Sequence, residues 1–85
     1  VTLYNKGVSL DSPEPFYEAL RCYNKALEIN PQDPEIWFNK GFLEDVLGWE
    51  EAAAKSYRKF VELAPAEYGE RVSKVRQRLQ QIDVT

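Results

Sequence analysis

The chain has 85 residues, a formal net charge of −3 at neutral pH, one cysteine, no histidine and no methionine. This length suits one small domain with a marginal core, and the interleaved acidic and basic residues lack the basic patch that favours nucleic-acid binding. Without histidine or a second cysteine, the common zinc sites, His-based triads and an internal disulfide are excluded. We therefore predict a protein that is not an enzyme, has no cofactor, metal or nucleic-acid partner, and lies in a reducing, cytoplasmic compartment.

The apolar runs are only a few residues long, and the N-terminus shows no charged leader followed by a hydrophobic region. These features predict no membrane association. Because the chain begins at Val1 and lacks methionine, we expect an excerpt of a longer polypeptide or one trimmed at its start.

The first third of the chain predicts two helices that meet at a proline-rich turn. Ser12 suits a helix N-cap, and Pro13 or Pro15 suits the first helical turn, where no backbone N–H is needed. Over residues 16–29 the apolar side chains recur at helical spacing: Phe16, Ala19, Leu20, Tyr23, Ala26 and Leu27. This spacing predicts a helix with one apolar stripe.

A second pair of helices is predicted after the sequence NPQDP, residues 30–34. Apolar residues lie at mixed spacings, which favours a helix buried on more than one side: Ile36, Phe38, Leu43, Val46 and Leu47. Gly48 is expected to end this helix because glycine takes a positive φ without a Cβ penalty. The next helix is expected to begin at Glu50, with acidic residues in its first turn, and to end at Pro65.

An offset of 34 residues aligns these two units. The positions that agree include Asn5, Lys6 and Gly7 with Asn39, Lys40 and Gly41, Tyr23 with Tyr57, and Pro31 with Pro65. Agreement at Gly, aromatic and Pro positions together predicts an internal repeat. The small residues Gly7 with Ala19, and Gly41 with Ala53, are expected to let the two helices of each unit approach within about 8–10 Å.

After Pro65 the repeat pattern ends, and one amphipathic helix is predicted. Its apolar residues are Tyr68, Val72, Val75, Leu79 and Ile82. Terminal units with a polar outer side cover the last apolar face of a repeat stack. We therefore predict a capping helix over about residues 66–82 and no equivalent cap on the N-terminal side.

The pattern resembles the tetratricopeptide repeat, a helix–turn–helix unit of 34 residues. The second unit matches the family at Trp37, Gly41, Gly48, Ala53, Tyr57 and Pro65 and departs from it at Lys40, Glu44 and Phe60. The first unit keeps Gly7, Ala19, Tyr23, Ala26 and Pro31 but has Leu3 and Leu10 where the family has aromatic residues. The resemblance covers residues 1–65.

The resemblance implies an all-α fold, a right-handed superhelical stack of antiparallel helix–turn–helix repeats with five helices in this chain. The expected divisions are a first repeat over residues 1–33, a second over 34–65, and a capping helix and tail over 66–85.

A peptide-binding groove is also implied, because the first helix of each unit lines a concave surface in this family. The residues expected to face it are Tyr4, Asn5, Val8 and Asp11 from the first unit and Phe38, Asn39, Phe42 and Asp45 from the second. An Asn amide can donate and accept hydrogen bonds at once, as an extended peptide requires, and aromatic rings would hold apolar side chains. The predicted groove residues are Tyr4, Asn5, Val8, Phe38, Asn39 and Phe42.

The predicted function is a protein–protein interaction scaffold that binds a peptide segment of a partner. The alternatives are a homo-oligomerisation unit that associates through the uncapped N-terminal face and a structural spacer within a longer array. In a further alternative, Phe38 and Phe42 merely pack against Tyr4, Val8 and the capping helix, and both asparagines are solvated. The groove would also be partly filled from within if Val72, Val75 and Arg76 of the capping helix lie across the stripe.

The clamp with which some family members bind the C-terminal carboxylate of heat-shock chaperones is matched only at Asn39. We therefore expect a more apolar ligand and weak salt dependence.

Four further residues carry structural predictions. Glu44 and Asp45 are adjacent on a helix and point about 100° apart, which favours a solvated face over an acid–base or metal-binding pair. Cys22 has no activating base nearby and is predicted to be a partly buried helix residue. Trp49, directly after the turn glycine, is predicted to cover the end of the helix pair.

Overall fold

The structure is a computed structural model that describes residues 14–84, with the side chains of residues 15–83. These residues form four α-helices, α1 (Glu14–Ile29), α2 (Pro34–Val46), α3 (Glu50–Leu63) and α4 (Gly69–Val84), with a short 3-10 helix (Ala66–Tyr68) before α4. Strands are absent from this part of the chain, so the all-α prediction is confirmed. Four helices are observed where five were predicted, and the first of the predicted five lies outside the described residues.

The proline-rich break between α1 and α2 contains the signal that starts α2. Asp33 is the N-cap, and its Oδ1 accepts the backbone N–H of Glu35 at 3.0 Å. Pro34 occupies the first turn, where its missing N–H costs nothing. The indole N–H of Trp37 donates to the carbonyl of Pro31 at 2.7 Å. The loop is therefore held against the helix that it precedes.

Gly48 ends α2 in the way that the sequence predicts. Its φ is 83°, in the left-handed region that side chains with a Cβ rarely adopt. The backbone N–H groups of Gly48 and Trp49 donate to the carbonyls of Asp45 and Glu44 at 3.0 and 2.9 Å. Since these bonds satisfy carbonyls of the last turn, α3 can begin two residues later.

Two apolar clusters hold the helices together, and α2 belongs to both. One cluster joins α1 and α2 through Phe16, Ala19 and Leu43, with Leu20, Tyr23 and Leu47 packed against it. The other consists of Ala53, Tyr57, Phe60 and Val75, with Trp37, Phe38, Tyr68, Val72 and Leu79 among the residues packed against it. This double burial explains why the apolar residues of α2 do not follow a single stripe.

The closest approach between α2 and α3 is at Gly41. A Cβ at this position would lie 2.7 Å from Cδ1 and 2.9 Å from Cε1 of Tyr57, and 3.2 Å from Cβ of Ser56. Ala53, one turn before Tyr57 on α3, is fully buried. A close approach of the two helices at Gly41 is observed, but the nearest atoms belong to Tyr57 and Ser56 and not to the predicted Ala53. The counterpart predicted at Gly7 lies outside the described residues.

α4 packs on α3, and its backbone lies farther from that of α2. Val75 is buried against α3, while Ser73, Gln77 and Gln80 on other sides of α4 are exposed. No Cα of α4 lies within 8 Å of a Cα of α2. A cleft therefore separates α2 from α4, and only side chains span it.

Candidate functional site

The outward surface of α2 carries an apolar stripe with one amide, which we call the α2 stripe: Asn39, Phe42 and Val46. The three residues lie at i, i+3 and i+7, so they share one side of the helix. Phe42 is 46% exposed and Val46 is 51% exposed. Asn39 is half-buried, and its amide makes no hydrogen bond with another described residue. The stripe thus offers apolar surface to a partner, together with an amide that has no hydrogen-bond partner among residues 14–84.

Phe38 lies beside this stripe but points towards the core. Its ring centroid is 5.3 Å from that of Phe60 and 6.3 Å from that of Tyr57. It also lines the cleft between α2 and α4. Of the two phenylalanines predicted to hold a ligand, Phe38 packs on rings of α3, and Phe42 is exposed.

α4 carries a basic stripe, formed by Arg71, Lys74 and Arg78. Two of these residues, Arg71 and Lys74, line the cleft opposite Phe38 together with Glu67, Tyr68 and Glu70. Arg71 Nη1 donates to Glu35 Oε1 at 2.7 Å, and the guanidinium lies 4.9 Å from the ring centroid of Phe38 and 5.2 Å from that of Tyr68. Because both charged side chains are largely exposed, we expect this ion pair to contribute about 0–1 kcal/mol. It bridges one end of the cleft.

Arg78 makes a second contact between α4 and α2, apart from the residues that line the cleft. Its Nε and Nη2 donate to both oxygens of Asp45 at 2.9 and 2.7 Å, a bidentate arrangement. The Tyr57 hydroxyl donates to Asp45 Oδ2 at 3.1 Å, and Glu50 Oε2 lies 3.5 Å from Arg78 Nη2. Two arginine–carboxylate contacts therefore join α4 to α2.

These contacts shift two ionisation equilibria. The hydrogen bonds from Arg78 lower the pKa of Asp45 below its ordinary value, although partial burial acts in the opposite direction. Burial, and next the charge of Asp45, raises the pKa of Tyr57. At neutral pH the carboxylate is therefore ionised and the phenol remains a hydrogen-bond donor.

The prediction that Glu44 and Asp45 form a solvated helix face is wrong. Glu44 is 4% exposed, its Oε1 accepts the hydroxyl of Ser56 at 2.6 Å, and its Oε2 lies 3.9 Å from Lys40 Nζ. Asp45, one residue on, contacts Arg78 and Tyr57 instead. Adjacent residues on a helix face different neighbours, so one carboxylate meets α3 and the other mainly meets α4.

The two carboxylates have separate partners, Ser56 and Lys40 for Glu44, and Tyr57 and Arg78 for Asp45. Within residues 14–84 no cluster of three potential metal ligands occurs.

Two other predictions have different outcomes. Cys22 is exposed, so its predicted partial burial is wrong, because its position on α1 faces away from the apolar cluster with α2. The ring of Trp49 stacks on that of Tyr17 with centroids 5.7 Å apart. This contact joins the α2–α3 turn to α1, as expected of a residue that covers the end of the helix pair.

Half of the predicted groove residues can be located. Tyr4, Asn5 and Val8 lie outside the described residues, whereas Phe38, Asn39 and Phe42 lie on α2. The sequence interpretation missed Val46 and the basic stripe of α4. The spacing of Arg71, Lys74 and Arg78 at i, i+3 and i+7 is a signal that would have placed the stripe on one side of the helix.

Antiparallel helix pairs, with a glycine contact inside one pair and a further helix packed against it, define a helical-repeat protein. The family model for the tetratricopeptide repeat matches residues 11–80, and the chain belongs to this family. Tetratricopeptide repeats generally mediate protein–protein interactions, and the family is a non-catalytic one.

One relative is an uncharacterized protein of Methanocaldococcus jannaschii, which is 37% identical over 54 residues. The alignment covers 64% of this chain and 63% of the relative, so the chain spans less than two-thirds of the relative's length. No solved structure matches the chain significantly. Among the described helices, none has the length and apolar character needed to cross a membrane.

Proposed function

We propose that the chain is a protein-interaction module that holds a segment of a partner protein against the α2 stripe. The observation that carries the proposal is the exposure of Phe42 and Val46, 46% and 51%, on the same side of α2 as Asn39. Fully burying such a side chain contributes about 1.5–3 kcal/mol. Since about half of each surface is still in contact with water, a partner would gain about 1 kcal/mol from each residue.

Hydrogen bonding and shape support the same surface. The Asn39 amide is available to the backbone of an extended or helical segment. A cleft between α2 and α4, lined on α2 by Phe38, the residue before Asn39, has a volume of about 430 Å³. A surface this small falls below the roughly 800 Å² per partner of a standard stable interface, so we expect affinities of about micromolar.

The proposal includes the residues that the structure does not describe. Tyr4, Asn5 and Val8 are proposed to extend the surface from the first repeat. The proposed units remain residues 1–33, 34–65 and 66–85, and the proposed setting is cytoplasmic with a protein or peptide partner.

The test is selection from a randomised peptide library. The wild-type chain and an Asn39→Ala/Phe42→Ala variant are compared, with Ile29→Ala as the control. Ile29 is 87% exposed at the end of α1, so the control also removes exposed apolar surface, but from another face. Circular dichroism and melting curves of all three proteins show whether a loss of binding comes from a loss of folding.

We expect the selected peptides to bind the wild type and the Ile29→Ala protein alike and to lose at least tenfold in affinity for the double variant. Peptides that bind all three proteins equally would contradict the proposed surface. If no peptide is selected, sedimentation velocity separates the alternatives: concentration-dependent association favours a homo-oligomerisation unit, and a monomer favours a structural spacer.

A further inference from the structure

We propose that the cleft between α2 and α4 is a binding site for one cationic side chain of a partner, and that Arg71 of this chain occupies the site in the free protein. The proposal rests on the proposed function in one respect, because the cation belongs to the partner segment. The site itself can be tested with a single amino-acid derivative, so its failure is distinguishable from the failure of the proposed function.

The Arg71 side chain shows how a cation fits this cleft. Its guanidinium carbon lies 4.9 Å from the ring centroid of Phe38 on α2 and 5.2 Å from that of Tyr68, just before α4. Its Nη1 donates to Glu35 Oε1 at 2.7 Å. Aromatic rings attract cations that lie within about 6 Å of the ring centroid. Two rings and one carboxylate therefore form a site with the chemistry of cation recognition.

The core holds the two rings of this site in place. The ring centroids of Phe38 and Tyr68 lie 5.3 and 6.1 Å from that of Phe60. Phe60 is fully buried, and both rings pack against the cluster to which it belongs. The positions of the rings thus depend on the core and not on Arg71. A ligand that replaces Arg71 would find the site already formed, which lowers the cost of binding.

The charges around the cleft favour a cation over an anion. Glu67 and Glu70 line the cleft, and neither forms an ion pair in the part of the chain that the structure describes. Lys74 lines it as well. When Arg71 leaves, these residues and Glu35 present three carboxylates against one ammonium group. A cation from a partner would reduce this excess of negative charge, whereas an anion would increase it.

Arg71 can leave the site at little cost. Its side chain is 40% exposed and that of Glu35 is 47% exposed, and ion pairs at such exposure are weak. With Arg71 in place the cleft still has a volume of about 430 Å³. A second side chain can therefore enter and take over the contacts with the rings and the carboxylate while Arg71 turns towards solvent. Arg71 acts as an internal competitor, and its removal should strengthen the binding of a cation.

The experiment is a titration with Nα-acetyl-arginine amide, followed by the NMR signals of the Phe38 and Tyr68 rings. The neutral probe Nα-acetyl-citrulline amide has nearly the same shape and serves as the ligand control. Wild type is compared with Arg71→Gln, which removes the competitor, and with Arg71→Gln/Glu35→Gln, which also removes the carboxylate. Arg58→Gln is the protein control, because it removes the same charge from another exposed ion pair, outside this cleft. Circular dichroism shows whether the four proteins are equally folded.

We expect the arginine derivative to shift both ring signals of Arg71→Gln, with an affinity roughly three- to tenfold higher than for wild type or Arg58→Gln. The double variant should lose most of this gain. The citrulline derivative should leave the rings unchanged at the same concentrations, and high salt should weaken the binding of the arginine derivative. In the peptide selection, Arg71→Gln should enrich Arg or Lys more strongly than wild type does.

Each contrary outcome refutes a defined part of the proposal. Ring shifts that are as small in Arg71→Gln as in Arg58→Gln, or equal shifts with both derivatives, would overturn the cation site. Equal affinity of wild type and Arg71→Gln would overturn the role of Arg71 as a competitor. If the derivative binds but Arg71→Gln selects peptides without a cationic preference, the assignment to a partner side chain is overturned. If the derivative binds and no protein selects a peptide, the proposed function fails and the cation site stands.

Discussion

Replacing Gly41 by alanine tests the contact that sets the distance between α2 and α3. The added methyl group would lie 2.7 and 2.9 Å from two ring carbons of Tyr57 and 3.2 Å from Cβ of Ser56. The Tyr57 ring is 4% exposed, and its hydroxyl donates to Asp45. Because the ring is held at both its face and its hydroxyl, it cannot turn aside without breaking other contacts.

The expected cost follows from two opposing effects. Overpacking of a filled core costs about 1–3 kcal/mol. Alanine is favoured over glycine inside a helix by about 1 kcal/mol. The net loss for Gly41→Ala is therefore about 1 kcal/mol, up to about 2 kcal/mol, and each kcal/mol lowers the Tm of a domain of this size by about 4–8 °C. Thermal and urea unfolding followed by circular dichroism measure both quantities.

Gly69 provides the matched control. A Cβ at Gly69 meets no atom within 4 Å, and its φ of −52° is helical. Gly69→Ala should therefore keep or slightly raise the stability of the protein. If Gly41→Ala is as stable as Gly69→Ala, the two helices do not rely on a glycine at this contact, and the packing argument is wrong.

Three further predictions concern polar contacts and the last helix. Arg78→Gln should lower stability by about 1 kcal/mol at neutral pH. Because the folded-state pKa of Asp45 is lowered, the stabilisation by the Arg78–Asp45 contact is present above about pH 4 and disappears as the pH falls through the folded-state pKa. Acid unfolding curves of wild type and variant should therefore converge. Ser56→Ala should cost about 1–3 kcal/mol in urea unfolding, because the buried carboxylate of Glu44 loses its hydroxyl donor, and adding Glu44→Leu should recover part of the loss. Deletion of residues 66–85 should expose the cluster around Phe60 and cause aggregation or loss of helicity by circular dichroism; cooperative melting at the wild-type Tm would contradict a capping role for α4.

The repeat pattern was sufficient to predict the described helices and the close contact at Gly41. It succeeded because each of these sequence features acts locally. A residue without a Cβ permits close packing, a proline fits the first turn of a helix, and a glycine takes a positive φ. Gly48 illustrates this, since its φ of 83° is the conformation that its place after α2 requires.

The polar contacts of α2 could not be predicted in the same way. Ser56 bonds Glu44 across 12 residues, and Arg78 bonds Asp45 across 33 residues. Helical periodicity assigns each residue to a side of its own helix but does not say which other helix lies there. The predicted solvated face failed for this reason.

The sequence pattern also could not predict which side of α4 faces α2. Val72, Val75 and Arg76 were the residues considered for covering the groove, but Val75 is buried against α3 and Arg76 is exposed. Charged residues flank the apolar stripe of α4 on both sides, so periodicity alone does not decide which flank faces α2. Tertiary packing on α3 decides it and brings Arg71 and Arg78 into contact with α2.

Chemical-shift mapping of the isotope-labelled protein, titrated with a selected peptide, directly reports which face binds a partner. Binding at the proposed surface predicts that the largest shifts occur at Asn39, Phe42 and Val46 on α2. Largest shifts at exposed positions of α3 such as Lys55, with the α2 stripe unchanged, would contradict the proposal that the chain binds its partner through this surface.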